Sequence, residues 1–79
     1  MINEIKILVF GQITDIIGRP EISLSGIENT DELNSKLEEM FRGISEIKYS
    51  IAVNKIITRD NTPLKNGDTV ALLPPFSGG

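Results

Sequence analysis

The sequence predicts an α+β domain of two layers, with one helix packed across one face of a small mixed sheet. Three observations carry this reading. Short β-branched segments flank a single amphipathic helix, and the order is two strands, one helix, then more strands. With 79 residues, 39% hydrophobic and 24% charged, the chain has enough apolar material for one core and too little length for two domains. A chain this short buries only roughly 60% of its unfolded surface, which leaves little room for a complete catalytic pocket.

Ile5-Lys6-Ile7-Leu8-Val9-Phe10, closed by Gly11, is β-branched and too short to favour a helix, so it reads as the first strand. Its period of two puts Ile5, Ile7 and Val9 on one face and Lys6, Leu8 and Phe10 on the other. Gln12 to Ile17 can form one helical turn, stopped by Gly18-Arg19-Pro20. Glu21-Ile22-Ser23-Leu24 alternates polar with apolar and reads as a second strand ending at Ser25-Gly26. The spacing lets the two strands pair as an antiparallel hairpin with a long loop.

The helix is the clearest element. Asn29 or Thr30 can cap its first amides, and Asp31 and Glu32 favour its positive end. Leu33, Leu37, Met40 and Phe41 fall on one stripe, read as core packing. Gly43 is placed to end the helix in the left-handed conformation. Glu28, Asp31, Glu32, Glu38, Glu39 and Glu46 read as a solvated acidic face. Ile51-Ala52-Val53 then suggests a third strand, Asn54-Lys55 a turn and Ile56-Ile57-Thr58 a short fourth segment. Lys55 is a minor candidate for steering an anionic partner group near the tail. Asn61-Thr62-Pro63 and Lys65-Asn66-Gly67-Asp68 are turn residues. Thr69 to Leu73 forms the last strand, with Val70 and Leu72 on one face and Ala71 and Leu73 on the other.

Composition removes several function classes. A net charge of -3 argues against nucleic acid as a partner, since that calls for a basic face. Cysteine and histidine are both absent, which excludes disulfides, thiolate or imidazole metal sites, cysteine nucleophiles and serine–histidine triads. No stretch approaches the ~20 apolar residues that would span a bilayer. Met1-Ile2-Asn3-Glu4 lacks the basic lead of a signal peptide. The expectation is a cytoplasmic protein without a membrane, nucleic-acid or metal partner.

The informative segment is the last one, Pro74-Pro75-Phe76-Ser77-Gly78-Gly79. Two prolines cannot donate ladder hydrogen bonds, so the sheet ends at Leu73, giving a body of residues 1–73 and a tail of residues 74–79. The prolines stiffen the tail and aim it away from the body. Phe76 offers an apolar anchor, Ser77 a small side chain that can bond to a partner channel, and Gly78 and Gly79 almost no bulk. Six extended residues reach on the order of 20 Å, enough to enter another protein's active site. A glycine-rich end can also be a frayed terminus, but fraying does not require a stiff aromatic lead.

Ala52-Val53-Asn54, the run from Pro63 to Ala71 and the terminal Pro74-Pro75-Phe76-Ser77-Gly78-Gly79 closely resemble the small subunits of molybdopterin synthase, a family of ubiquitin-like sulfur carriers. Ile7-Leu8-Val9-Phe10-Gly11-Gln12 and Gly18 fit the same pattern. The departure lies after Phe10, where the family often carries a basic–acidic pair and this chain has Ile13-Thr14-Asp15. The resemblance implies a ubiquitin-like β-grasp fold. It also implies a non-catalytic carrier whose Gly79 is adenylated by a ubiquitin-activating-enzyme-like adenylyltransferase, with ATP consumed by that partner and no cofactor held permanently. A persulfide sulfur donor then yields a thiocarboxylate. The resemblance further implies a heterotetramer with the large subunit of the synthase, which receives the tail and passes the sulfur to cyclic pyranopterin monophosphate.

Strand parity adds a second surface. Phe10 and Leu73 point away from the presumed core, where a half-solvated sheet should carry polar residues, and Ile57 can join them. Either a partner buries them or the Gln12–Ile17 segment covers them within the monomer. The same activated glycine would equally serve a carrier for thiamine or another thiolation route, or a ubiquitin-like protein modifier. An interaction module with an inert end is the remaining alternative.

Overall fold

Eight short elements follow one another in the computed structural model, which describes residues 2–75. They are β1 (Glu4–Val9), α1 (Ile13–Ile17), β2 (Glu21–Ser25), α2 (Thr30–Met40), a 3-10 turn (Ile44–Glu46), β3 (Ser50–Val53), β4 (Ile56–Thr58) and β5 (Thr69–Leu73). The five strands form one sheet in the order β2-β1-β5-β3-β4. β1 runs antiparallel to β2, with Leu8 opposite Glu21, and parallel to β5, with Val9 beside Leu72. β3 is antiparallel to both β5 and β4. One main helix across a mixed five-stranded sheet is the ubiquitin-like β-grasp arrangement expected from the sequence.

The parity of the strands decides the core. Ile5, Ile7, Val9, Val70 and Leu72 share one face and are all buried, all but Val9 completely. Leu33 and Leu37 of α2, Ile13 and Ile17 of α1, and Ile44 of the 3-10 turn close over that face in the same apolar cluster. Fully burying one such side chain contributes ~1.5–3 kcal/mol, so this face supplies most of the stability.

Polar groups hold α2 in place at its start. The Asn29 side-chain oxygen accepts the Glu32 amide at 2.9 Å, and the Glu32 carboxylate accepts the Glu28 amide at 2.9 Å. Asn61 Oδ1 accepts the Asp31 amide at 2.9 Å, and Thr62 donates its amide to the buried Thr30 hydroxyl at 2.9 Å. The connection from β4 to β5 is thereby fastened to the helix, with Leu64 buried beneath it.

Two details differ from the sequence reading. Met40 shares the stripe of Leu33 and Leu37 yet is 45% exposed. It lies at the helix's end, beside Ile22 and Leu24 of the edge strand β2, and among the described residues no further strand extends the sheet to cover it. Gly43 is left-handed, with φ 92°, but it does not end the helix. α2 stops at Met40, Phe41 is extended with its amide on the Leu37 carbonyl, and Gly43 opens the 3-10 turn instead.

Candidate functional site at the root of the tail

β5 delivers the tail from the middle of the sheet, because its neighbours are β1 on one side and β3 on the other. The last registered pair of the parallel ladder is Val9 beside Leu72. Continuing that register puts Phe10 next to Leu73 and Gly11 next to Pro74, and the Pro74 ring does lie against Gly11. Pro75, the next residue, is exposed. Phe76, Ser77, Gly78 and Gly79 lie outside the described residues.

The outer face of the sheet is divided along its length. Leu8, Ala71, Ala52 and Ile57 stand opposite one another across β1, β5, β3 and β4. Phe10 and Leu73 extend this apolar row toward the tail, whereas the next row the other way carries Ser23, Lys6 and Thr69. Phe10 is 45% exposed and Ile57 59%, while Leu8, Ala71 and Leu73 are half-buried. Ala52 is buried without belonging to the core cluster, as its place on the outer face requires. The apolar surface is thus concentrated at the end from which the tail departs.

Of the residues expected here, Phe10 and Leu73 are neighbours. Ile57 lies two strands beyond β5, about 10 Å away at the usual strand spacing. Leu8 and Ala71 carry the same parity as Phe10 and Leu73 and were legible from it. Ala52 was not, since its face depends on the register of β3. The Gln12–Ile17 segment does not cover this surface: Ile13 and Ile17 are buried in the core cluster, on the helix side of the sheet.

Lys55 is not near the root of the tail. The Asn54 amide donates to the Thr69 carbonyl at 2.7 Å, and the Thr69 amide donates to Asn54 Oδ1 at 3.0 Å. The β3–β4 turn therefore sits at the start of β5, roughly 13 Å from Leu73 by strand rise. That end is polar. Asn54 donates its side-chain amide to Asp68 Oδ1 at 3.0 Å, and the Lys65 amide donates to Asp68 Oδ2 at 2.7 Å. These bonds, the Asn54 one foremost, hold the Asp68 carboxyl below its ordinary value of 3.8. On the helix side, Tyr49 donates its hydroxyl to Asn34 at 2.9 Å, and burial followed by the nearby Glu38 charge pushes its phenol above 10.0.

Among the described residues there is no cluster of three or more Asp, Glu, His or Cys placed to hold a metal ion, and no helix is long and apolar enough to cross a membrane. Leu8, Phe10, Ala71, Leu73 and Pro74 carry no nucleophile, acid or base. This end of the molecule presents an apolar surface beside the root of the tail.

Comparison with known proteins bears on what docks. Residues 7–79 match the ThiS family. The chain is 31% identical to a molybdopterin synthase sulfur carrier subunit of Arabidopsis thaliana, over 96% of this chain and 83% of that protein. It is similar to a chain of the protein–protein complex of subunit 1 and 2 of molybdopterin-converting factor from Helicobacter pylori 26695, at 32% identity and a TM-score of 0.75, covering 96% of this chain and 99% of that one. It is also similar to the small archaeal modifier protein 1 from Methanosarcina acetivorans, at 27% identity and a TM-score of 0.73, covering 100% and 99%.

Proposed function

The chain belongs to the ThiS family, and on that premise we propose that it is the sulfur carrier subunit of a molybdopterin synthase. What supports this reading is the meeting, at one end of the sheet, of the tail's root and an uncovered apolar surface, in a chain whose family match runs through Gly79.

The Gly79 carboxylate attacks the α-phosphate of ATP in an adenylyltransferase partner, releasing pyrophosphate and leaving an acyl-adenylate. A free carboxylate is a poor electrophile, and the mixed anhydride is a good one. The terminal sulfur of a persulfide donor displaces AMP, and a thiol reductant cleaves the resulting S–S bond to leave the thiocarboxylate. In the large subunit the sulfur passes to the pyranopterin, and Gly79 returns to a carboxylate with an oxygen from water. Gly78 and Gly79 give clearance in a narrow channel, Ser77 and Phe76 contact its walls, and Pro74 and Pro75 direct the approach. Phe10, Leu73 and Ile57 form the face on which the large subunit sits. No cofactor is held permanently, and the working site is cytoplasmic.

Intact-mass measurement after incubation with the activating enzyme, ATP and a persulfide donor tests this. The expected result is a gain equal to exchanging one oxygen for one sulfur, located to Gly79, and reversed by adding the large subunit and pyranopterin. No gain with a demonstrably active enzyme overturns the carrier reading. The similarity to a small archaeal modifier protein favours one second reading, attachment of the same glycine to lysines of other proteins. Ser-Gly-Gly remnants on target lysines after chymotryptic cleavage at Phe76 would establish it.

A further inference from the structure

We infer that Gly11 is a positioning residue for the tail: its bare Cα is the seat on which Pro74 turns the chain off the sheet. This deepens the carrier reading and rests on it for its kinetic consequence.

The parallel ladder between β1 and β5 ends on both strands at once. On β5 the next residue, Pro74, has no amide to donate. On β1 the strand runs out and Gly11 adopts φ +60°, turning its backbone away from the sheet. The two breaks face each other. A Cβ placed on Gly11 would stand 2.8 Å from Pro74 Cγ and 3.4 Å from its Cβ, a separation real side chains do not tolerate. The pyrrolidine ring has no rotamer that swings clear, and a change of pucker moves Cγ while Cβ and Cδ stay fixed to the backbone. The rest of the displacement is taken by the β1–α1 turn or by the chain at Pro74. The turn is tied down: Thr14 donates its amide to the Gly11 carbonyl at 3.0 Å, and Ile13 is fully buried. The displacement therefore falls on Pro74, and every later residue inherits the changed direction. A tail that has to thread a channel in a partner is sensitive to such re-aiming, because an error of ~1 Å at a reacting centre can cost on the order of a hundredfold in rate.

Gly18 supplies the control. It too is left-handed, at φ +83°, but a Cβ there meets nothing within 4 Å. Gly11→Ala and Gly18→Ala thus share the backbone strain of a left-handed alanine, and only the first touches the tail.

The experiment measures thiocarboxylate formation on the full chain by the activating enzyme, for both variants, at a temperature where circular dichroism shows each folded. The expected result is a fall in kcat/KM of ~10-fold or more for Gly11→Ala and of less than ~2-fold for Gly18→Ala. Equal losses in the two variants overturn the inference. A second arm does not depend on the chemistry. Nuclear Overhauser contacts between the Gly11 α-protons and the Pro74 ring should be present in the wild type and in Gly18→Ala, and should be absent from a wild type in which the inference is wrong. If the wild type gains no sulfur, the carrier reading fails and this arm alone decides the seat.

Discussion

Leu72 and Leu73 are adjacent on β5 and have the same composition, yet they serve opposite faces of the sheet. Leu72 is fully buried beneath the helices, in the cluster that includes Ile7, Leu33 and Leu37. Leu73 is half-buried on the outer face, beside the exposed Phe10 and the root of the tail. The inner face is closed by the chain's own elements except at the edge strand β4, where Ile56 is exposed. The outer face carries apolar residues only toward the tail and is left open there. The same hydrophobic chemistry thus holds the fold together on one side and is available for association on the other. The difference between the faces is which of them the chain itself covers.

The largest effect should come from the inner face. Leu72→Ala removes a fully buried side chain, at a cost of about 2–5 kcal/mol, or a fall in Tm of roughly 4–8 °C per kcal/mol in calorimetry. A loss below ~1 kcal/mol would break the contrast.

Substitution on the outer face should separate stability from binding. Phe10→Ala and Ile57→Ala remove side chains that are about half exposed and should lower stability by less than ~1 kcal/mol. If the large subunit docks here, the same variants should weaken binding in titration calorimetry by ~2 kcal/mol, a factor of about 30. Unchanged affinity would remove these residues from the interface.

The helix cap sharpens the comparison from the polar side. Asn29→Ala leaves the Glu32 amide without its acceptor at the start of α2 and should cost about 1 kcal/mol in urea unfolding, with the m-value unchanged. That is smaller than the Leu72 effect, because the helix is held mainly by what Leu33 and Leu37 bury.

The smallest effect concerns pH. The Asp68 carboxyl is held low in the folded state by Asn54 and the Lys65 amide, so its contribution to stability is fully present well above its ordinary 3.8. It is lost as pH falls through that value and then through the lower folded one. Asp68→Asn should flatten the acid limb of a stability–pH curve slightly, and an unaltered limb would show that the hydrogen bonds carry no linkage.

Much of this was legible in one dimension, because helix and strand periods are local. Ile5, Ile7 and Val9 announced the inner face by alternation alone, as Leu33 and Leu37 announced the helix stripe, and the cap was narrowed to Asn29 or Thr30, of which the structure selects Asn29. Met40 was misleading for a related reason: periodicity fixes a direction around the helix axis and says nothing about whether the sheet extends far enough to meet it. Lys55 failed similarly, since placing a turn at one end of a sheet requires the register of β3 against β5.

The sequence by itself determined the strands and the main helix, the parity of β1 and β5, the polar-to-apolar order along the outer face of β1 and the composition of the tail. Each depends on residues a few positions apart, where backbone geometry leaves few choices. Only the tertiary structure decided that β1 and β5 lie side by side and parallel. That pairing joins residues about 60 positions apart and is selected by burial of the whole core, so no local pattern encodes it. From it follow the meeting of Phe10 with Leu73, the seating of Pro74 on Gly11 and the departure of the tail beside the one apolar end of the outer face.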